Sequence, residues 1–109
     1  MQGSVNNLDR IHRLKRDSVR RCVEIARKNS DVRKLIVFGS SITDNCTYDS
    51  DIDLCLDVVG GTRNLSLFNT VSDMSIACNG ECDILIYDKL ADRLRNTIDR
   101  KGVTVYELS

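Results

Sequence analysis

Asp51 and Asp53 stand two residues apart in the run DIDLCLDVV, residues 51–59. In a strand, side chains at i and i+2 point to the same face, with Cβ atoms roughly 6–7 Å apart. Side-chain rotation can gather their oxygens around one cation. Without it, two like charges about 4 Å apart repel by roughly 4 kcal/mol at an effective dielectric near 20, favouring protonation or disorder. A divalent ion removes that cost, and an all-oxygen ligand set suits Mg²⁺ or Mn²⁺ rather than zinc. Asp83 is a third candidate metal ligand and, with Asp51 and Asp53, a candidate catalytic carboxylate. It interrupts the apolar run 82–86, where an unpaired carboxylate is costly. If its strand lies beside that of Asp53, three acids can support two ions roughly 3.5–4 Å apart, and Asp83 can help activate an acceptor hydroxyl.

Upstream, Gly39-Ser40 is followed by nine residues and then by Ser50-Asp51. Glycine lets backbone approach a phosphate closely, and the hydroxyls of Ser40 or Ser41 and nearby N–H groups can bind its oxygens. Gly39, Ser40 and Ser41 are therefore the candidate nucleotide-binding residues. Asp49 and Asp57 read as solvated charges, and Asp44 as either a loop charge or a neighbour of the phosphates. Cys46 falls in the same loop, where oxidation of its thiol would modulate activity.

These residues need elements to hold them. Residues 35–38 (LIVF) form a short apolar run that stops at Gly39 and reads as a buried strand. Residues 40–48 are polar and hold at most one helical turn. Residues 51–59 alternate, with Asp51, Asp53, Cys55 and Asp57 on one face and Ile52, Leu54, Leu56 and Val58 on the other. So short a connection favours antiparallel pairing of these two strands.

Leu8, Ile11, Leu14, Val19, Cys22, Ile25 and Ala26 recur at helical spacing, with Asn6 or Asn7 as cap and residues 29–31 as the stop. Arg13, Arg16, Arg20 and Arg27 lie opposite and read first as a solvated face. Gly60-Gly61 marks a turn. Leu65, Phe68, Val71, Met74 or Ser75, and Cys78 predict a second helix closed by Asn79-Gly80. A third strand covers 81–87, Asp88 caps a helix carrying Leu90, Leu94 and Ile98, and residues 103–106 form a last strand. The expected class is α/β (α+β), with helices packed on a small mixed sheet.

With 109 residues, 41% hydrophobic and 29% charged, the chain suits one small globular domain. It divides into a basic amphipathic helix within 1–30 and a core of 31–109. No apolar run approaches the roughly 18–20 residues that span a bilayer, and no secretory pattern opens the chain, so no membrane is expected and a cytoplasmic place is. The five cysteines read as reduced, since Cys78 and Cys82 lack further zinc ligands and the single histidine, His12, is distant. Residues 1–34 carry ten Lys/Arg against four Asp/Glu, and residues 35–109 six against twelve. A basic arm beside an acidic body folds back on it or meets an acidic partner.

The segment VFGSSITDNCTYDSDIDLCL, residues 37–56, resembles the mark of the nucleotidyltransferase (polymerase-beta-like) superfamily: Gly-Ser, then an Asp-x-Asp strand, then a later strand Asp. From about Asp31 to the C-terminal GVTVYE, the chain is similar to its minimal nucleotidyltransferase (MNT) branch. That resemblance implies a nucleotidyltransferase fold in which Gly39 and Ser40 contact a triphosphate and Asp51, Asp53 and Asp83 bind metal. It implies transfer of a nucleoside monophosphate from an NTP, ATP being expected, to a hydroxyl with release of pyrophosphate. It also implies a HEPN-like partner protein, in some cases as the toxin of a toxin-antitoxin pair.

Many MNT sequences carry arginines where Ser41 and Thr43 stand here, which puts NTP affinity in question. The wording also resembles poly(A) and poly(U) polymerases, but those need a helical domain for RNA that this chain has no room for, so nucleic acid is not the expected partner. An acceptor site then comes from a partner protein, a second copy of the chain or a small groove. Two rival readings are a non-catalytic nucleotide- or partner-binding module and an aminoglycoside-type transferase acting on a small molecule.

Overall fold

Eight regular elements emerge from the pattern of apolar residues in a computed structural model, which describes residues 3–108. They are β1 (Ser4–Val5), α1 (Arg16–Arg27), β2 (Val32–Phe38), β3 (Ile52–Val58), α2 (Leu67–Ala77), β4 (Cys82–Ile86), α3 (Asp92–Lys101) and β5 (Val103–Glu107). The strands form one mixed sheet in the order β1-β5-β2-β3-β4. As the short connection predicts, β2 and β3 pair antiparallel, while β3 and β4 are parallel and joined across α2.

Alternation along β3 splits the molecule into two layers of core. Ile52, Leu54, Leu56 and Val58 face Val19, Cys22, Val23 and Ala26 of α1 and Met74 of α2, all essentially inaccessible to solvent. On the opposite face, Ile36 and Cys55 meet Ile98 of α3, with Phe38, Tyr87 and Leu90 around them. Asn29 ties the end of α1 to α2, donating to Ser66 Oγ at 2.9 Å and Thr70 Oγ1 at 3.0 Å. Among the described residues no helix is long and apolar enough to cross a membrane.

Three boundaries differ from the sequence expectation. The first helix does not begin near Asn7, which has a left-handed φ of 61°, and Ile11 is extended. Leu8 and Ile11 still face the core, but from an irregular segment that the Arg16 guanidinium stitches down by donating to the carbonyls of Leu8, Asp9 and Ile11. Residues 4–5 form the edge strand β1, pairing with β5. The third helix starts at Asp92 rather than after Asp88, which lies in a single tight turn at Tyr87–Lys89. Along α2 the core face is Leu67, Thr70, Val71 and Met74, so Leu65 and Phe68, expected inside, are 98% and 79% exposed. The close of α2 is as expected: Asn79 and Gly80 both take positive φ, and Gly80 N–H donates to the Ser75 carbonyl.

Candidate active site

Strand register brings the expected carboxylates to one end of the sheet. Phe38, the last residue of β2, pairs with Asp53, and Asp53 pairs in turn with Asp83 on β4. Asp51 lies just before β3 and, like Asp83, is exposed, while Asp53 is half-buried. Asp83 thus avoids the burial cost its apolar neighbours suggested, because β4 is the edge of the sheet. None of the three takes part in an ion pair among the described residues. Burial pushes the Asp53 carboxyl above its ordinary value, and the charges of Asp83 and Asp51 push it further. Like-charged acids held this close raise one another's affinity for a proton, and a nearby positive charge would relieve them.

Gly39 lies directly against the same carboxylate. Its φ of 75° is left-handed, and a Cβ there would collide with Asp53 Oδ2. The turn that follows β2 can therefore pass directly against the carboxylate only as glycine. Ser40 is half-buried beside it. Its carbonyl accepts from both the N–H and the hydroxyl of Thr43, at 3.0 and 2.9 Å. Ser41 is fully buried, and its Oγ has no hydrogen-bond partner. Its hydroxyl is closed off from solvent, whereas Ser40 is only half-buried. Oxygen donors on Asp51, Asp53 and Asp83 fit Mg²⁺ or Mn²⁺ chemically. No three His, Cys, Asp or Glu side chains among the described residues form a ready-made cage, so the exposed acids would have to rotate inward.

Other sequence candidates separate from the site. Asp57 is half-buried rather than solvated, and burial pushes its carboxyl upward, with Arg33 opposing. Cys46 is 6% exposed with its Sγ turned to the Thr47 carbonyl, which shields the thiol from the oxidation its loop position suggested. All five cysteines are free; Cys22 and Cys78 touch at 3.3 Å between α1 and α2. Burial pushes the thiols of Cys55 and Cys82 up to about 12, the behaviour of packed rather than reactive cysteines. The arginine stripe of α1 is largely spent locally: Arg20 pairs with Asp17, Arg27 with Glu24, and Arg16 with backbone carbonyls.

Two features escaped the sequence reading. An apolar groove of about 370 Å³ runs beside Gly39, walled by Phe38, Ile42, Leu94 and Ile98. No local pattern foretells it, because it exists only where α3 crosses the sheet. Second, the segment before α1 folds against the 39–44 turn, with His12 N–H donating to the Ser41 carbonyl at 2.7 Å. The charge excess of residues 1–34 allowed a fold-back onto the body but did not foretell this contact, which backbone groups make.

A two-stranded antiparallel arm thus carries Gly-Ser at its turn and acids on the facing strand, with another acid on a parallel neighbour. The family model for Polymerase beta, Nucleotidyltransferase, matches residues 20–109, and the chain belongs to that family. In fold it is similar to a toxin-antitoxin structure with AMP-PNP, at TM-score 0.68 and 15% identity over 83% of this chain and 73% of that one. It is also similar to the toxin-antitoxin MntA-HepT, at 0.61 and 14% over 83% and 70%. A third likeness is to a tri-AMPylated Shewanella oneidensis HEPN toxin in complex with MNT antitoxin, at 0.62 and 14% over 86% and 72%. At such identities the likeness is one of fold. No curated protein matches the chain significantly in sequence.

Proposed function

We propose that the protein is a metal-dependent nucleotidyltransferase that moves a nucleoside monophosphate, AMP first among them, from a triphosphate to a hydroxyl on a HEPN-type partner protein. The observation that supports this most is the register Phe38–Asp53–Asp83, which sets two carboxylates side by side next to Gly39. Asp51, Asp53 and Asp83 would hold Mg²⁺ or Mn²⁺, which when bound neutralises phosphate charge and lowers the pKa of an acceptor oxygen. Gly39 admits the phosphates against the strand ends, and Ser40 lies beside them. Asp83, exposed on the edge strand, would take the acceptor's proton. The acceptor oxygen forms a bond to the α-phosphorus, and the bond from that phosphorus to the bridging oxygen breaks. Pyrophosphate leaves with the electron pair. Positioning and charge neutralisation carry such chemistry.

The HEPN partner is supported by the solved complexes whose fold this chain shares, one of them with an AMPylated toxin. A second reading, a nucleotide- or partner-binding module without turnover, draws on the absence of a ready-made cage among the described residues and on the buried Ser41 hydroxyl. Calorimetry of ATP, GTP, CTP and UTP, with Mg²⁺ and with chelator, on wild type and Asp53→Asn tests the site. Incubation with a HEPN partner, read as added AMP mass, tests the transfer. Metal-dependent binding lost in the variant, together with the mass gain, is expected. Intact binding with no mass gain moves the protein to the second reading.

A further inference from the structure

Lys15 is the only charged residue buried among the described residues, with 4% of its surface exposed. Its Nζ donates to the Tyr48 carbonyl at 3.0 Å, and no ion pair among the described residues includes it. An ammonium carries three donors and a full charge, so burying it against one neutral carbonyl is costly. The fold itself gives no reason to bear that cost, because an apolar side chain of similar volume at such a site is commonly neutral or stabilising.

The position of Lys15 supplies a reason. It sits at the start of α1, three residues after His12, whose N–H holds the Ser41 carbonyl at 2.7 Å. Ile11, 1% exposed, anchors the same segment in the core. The two bonds therefore grip the connection between β2 and β3 on both sides: His12 just past Gly39-Ser40, and Lys15 at Tyr48, three residues before Asp51. In that same connection the Ser41 hydroxyl is buried without a partner. An ammonium with spare donors thus lies against, and an orphan hydroxyl within, the one connection that carries the glycine and leads to the first carboxylate.

We propose that Lys15 is a positioning residue for the nucleotide site: it fixes the loop so that Asp51 arrives beside Asp53, and its buried charge favours the anionic triphosphate that the loop faces. The proposal rests on the nucleotide reading given above. A charge held out of water acts over a longer range than an exposed one, so Lys15 need not touch a phosphate to stabilise it.

The test uses the full chain as wild type, Lys15→Met and Lys15→Arg, with thermal melts and calorimetry of Mg²⁺–AMP-PNP and Mg²⁺–tripolyphosphate. Lys15→Met is expected to melt at or above the wild-type temperature yet bind both probes at least about tenfold more weakly. Lys15→Arg restores most of the affinity. Unchanged affinity in Lys15→Met overturns the proposal, as does a loss of binding that merely accompanies a lower melting temperature. A loss confined to AMP-PNP, sparing tripolyphosphate, also overturns it, because the effect would then lie at the nucleoside. Wild type that binds neither probe sinks the nucleotide reading and this proposal with it; wild type that binds, with Lys15→Met equal to it, sinks this proposal alone.

Discussion

The two faces of β3 do opposite work within seven residues. Toward α1 and α2 it presents Ile52, Leu54, Leu56 and Val58, each 0 or 1% exposed. Toward α3 it presents Asp53, Cys55 and Asp57, of which only Cys55 is packed away. The first face is a continuous apolar layer shared with both helices of that side. The second is a small patch around Ile36, Cys55 and Ile98, giving way to charge at either end. Stability is thus concentrated on one side of the strand, which lets the other keep carboxylates that repel one another. Because adjacent residues point opposite ways, substitutions one position apart should have effects of different kind.

The largest stability effect belongs to Leu54→Ala. Truncating a fully buried leucine leaves a cavity and costs about 2–5 kcal/mol, a large share of the stability of a small domain. Urea denaturation should show the midpoint falling with little change in slope. Its neighbour Asp53→Asn should do the reverse. On the proposed function, transfer and metal-dependent nucleotide binding should fall roughly 10²–10³-fold, as when a group that stabilises transition-state charge is lost. The metal-free melting temperature stays level or rises, because a carboxyl raised by burial and by Asp83 and Asp51 no longer has to ionise. If Asp53→Asn unfolds the protein as Leu54→Ala does, the division between the faces is wrong and Asp53 is structural.

A smaller effect probes the patch under α3. Ile98→Val removes one methylene from the contact with Ile36 and Cys55 and should cost about 0.5–1.5 kcal/mol. Since Ile98 also walls the groove beside Gly39, nucleotide affinity should shift more than the melting temperature does if the groove is used. Equal affinity in both proteins would mark that end of the groove as packing only.

The comparison also explains what the sequence disclosed. Strict alternation in β3, a run of β-branched and leucine residues in β2, and Gly-Ser before a polar gap are local signals, and the carboxylate end of the sheet follows from them. Pairing of Asp53 with Asp83 needed only that β4 lie beside β3, which a parallel unit joined by a helix makes natural. The misses are of another kind. Leu8 and Ile11 are periodic because they are buried, but an irregular segment, one tight helical turn ending in an extended Ile11, buries them as well as a longer helix would. Leu65 and Phe68 fit the helical period of α2 while the helix is turned to bury Leu67 and Thr70 instead. Whether α3 crosses the front or the back of the sheet is a matter of topology, and no period in residues 92–101 encodes it. Lys15 was counted among the basic residues of the arm, and only the fold shows it beneath the loop.

The smallest effect tests the far end of the charged face, at Asp57. Its carboxyl is raised by burial foremost, with Arg33 and Lys34 pulling it down and Asp88 and Asp99 pushing it up. A carboxyl whose folded pKa exceeds its unfolded one lets the native state hold more protons between those values, so stability falls as pH rises through them. The contribution of the protonated form is complete below the unfolded value of 3.8 and is lost at neutral pH. Asp57→Asn, which cannot ionise, should therefore melt higher than wild type at about pH 7, with the advantage vanishing near pH 3. Solvent reaches half-buried Asp57, and screening keeps the gain under about 1 kcal/mol. Melts of both proteins at the two pH values decide it. A lower melting temperature for the variant at neutral pH would mean that the attraction of the Arg33 and Lys34 charges outweighs burial, and that the charged end of β3 adds to the stability of the fold instead of drawing on it.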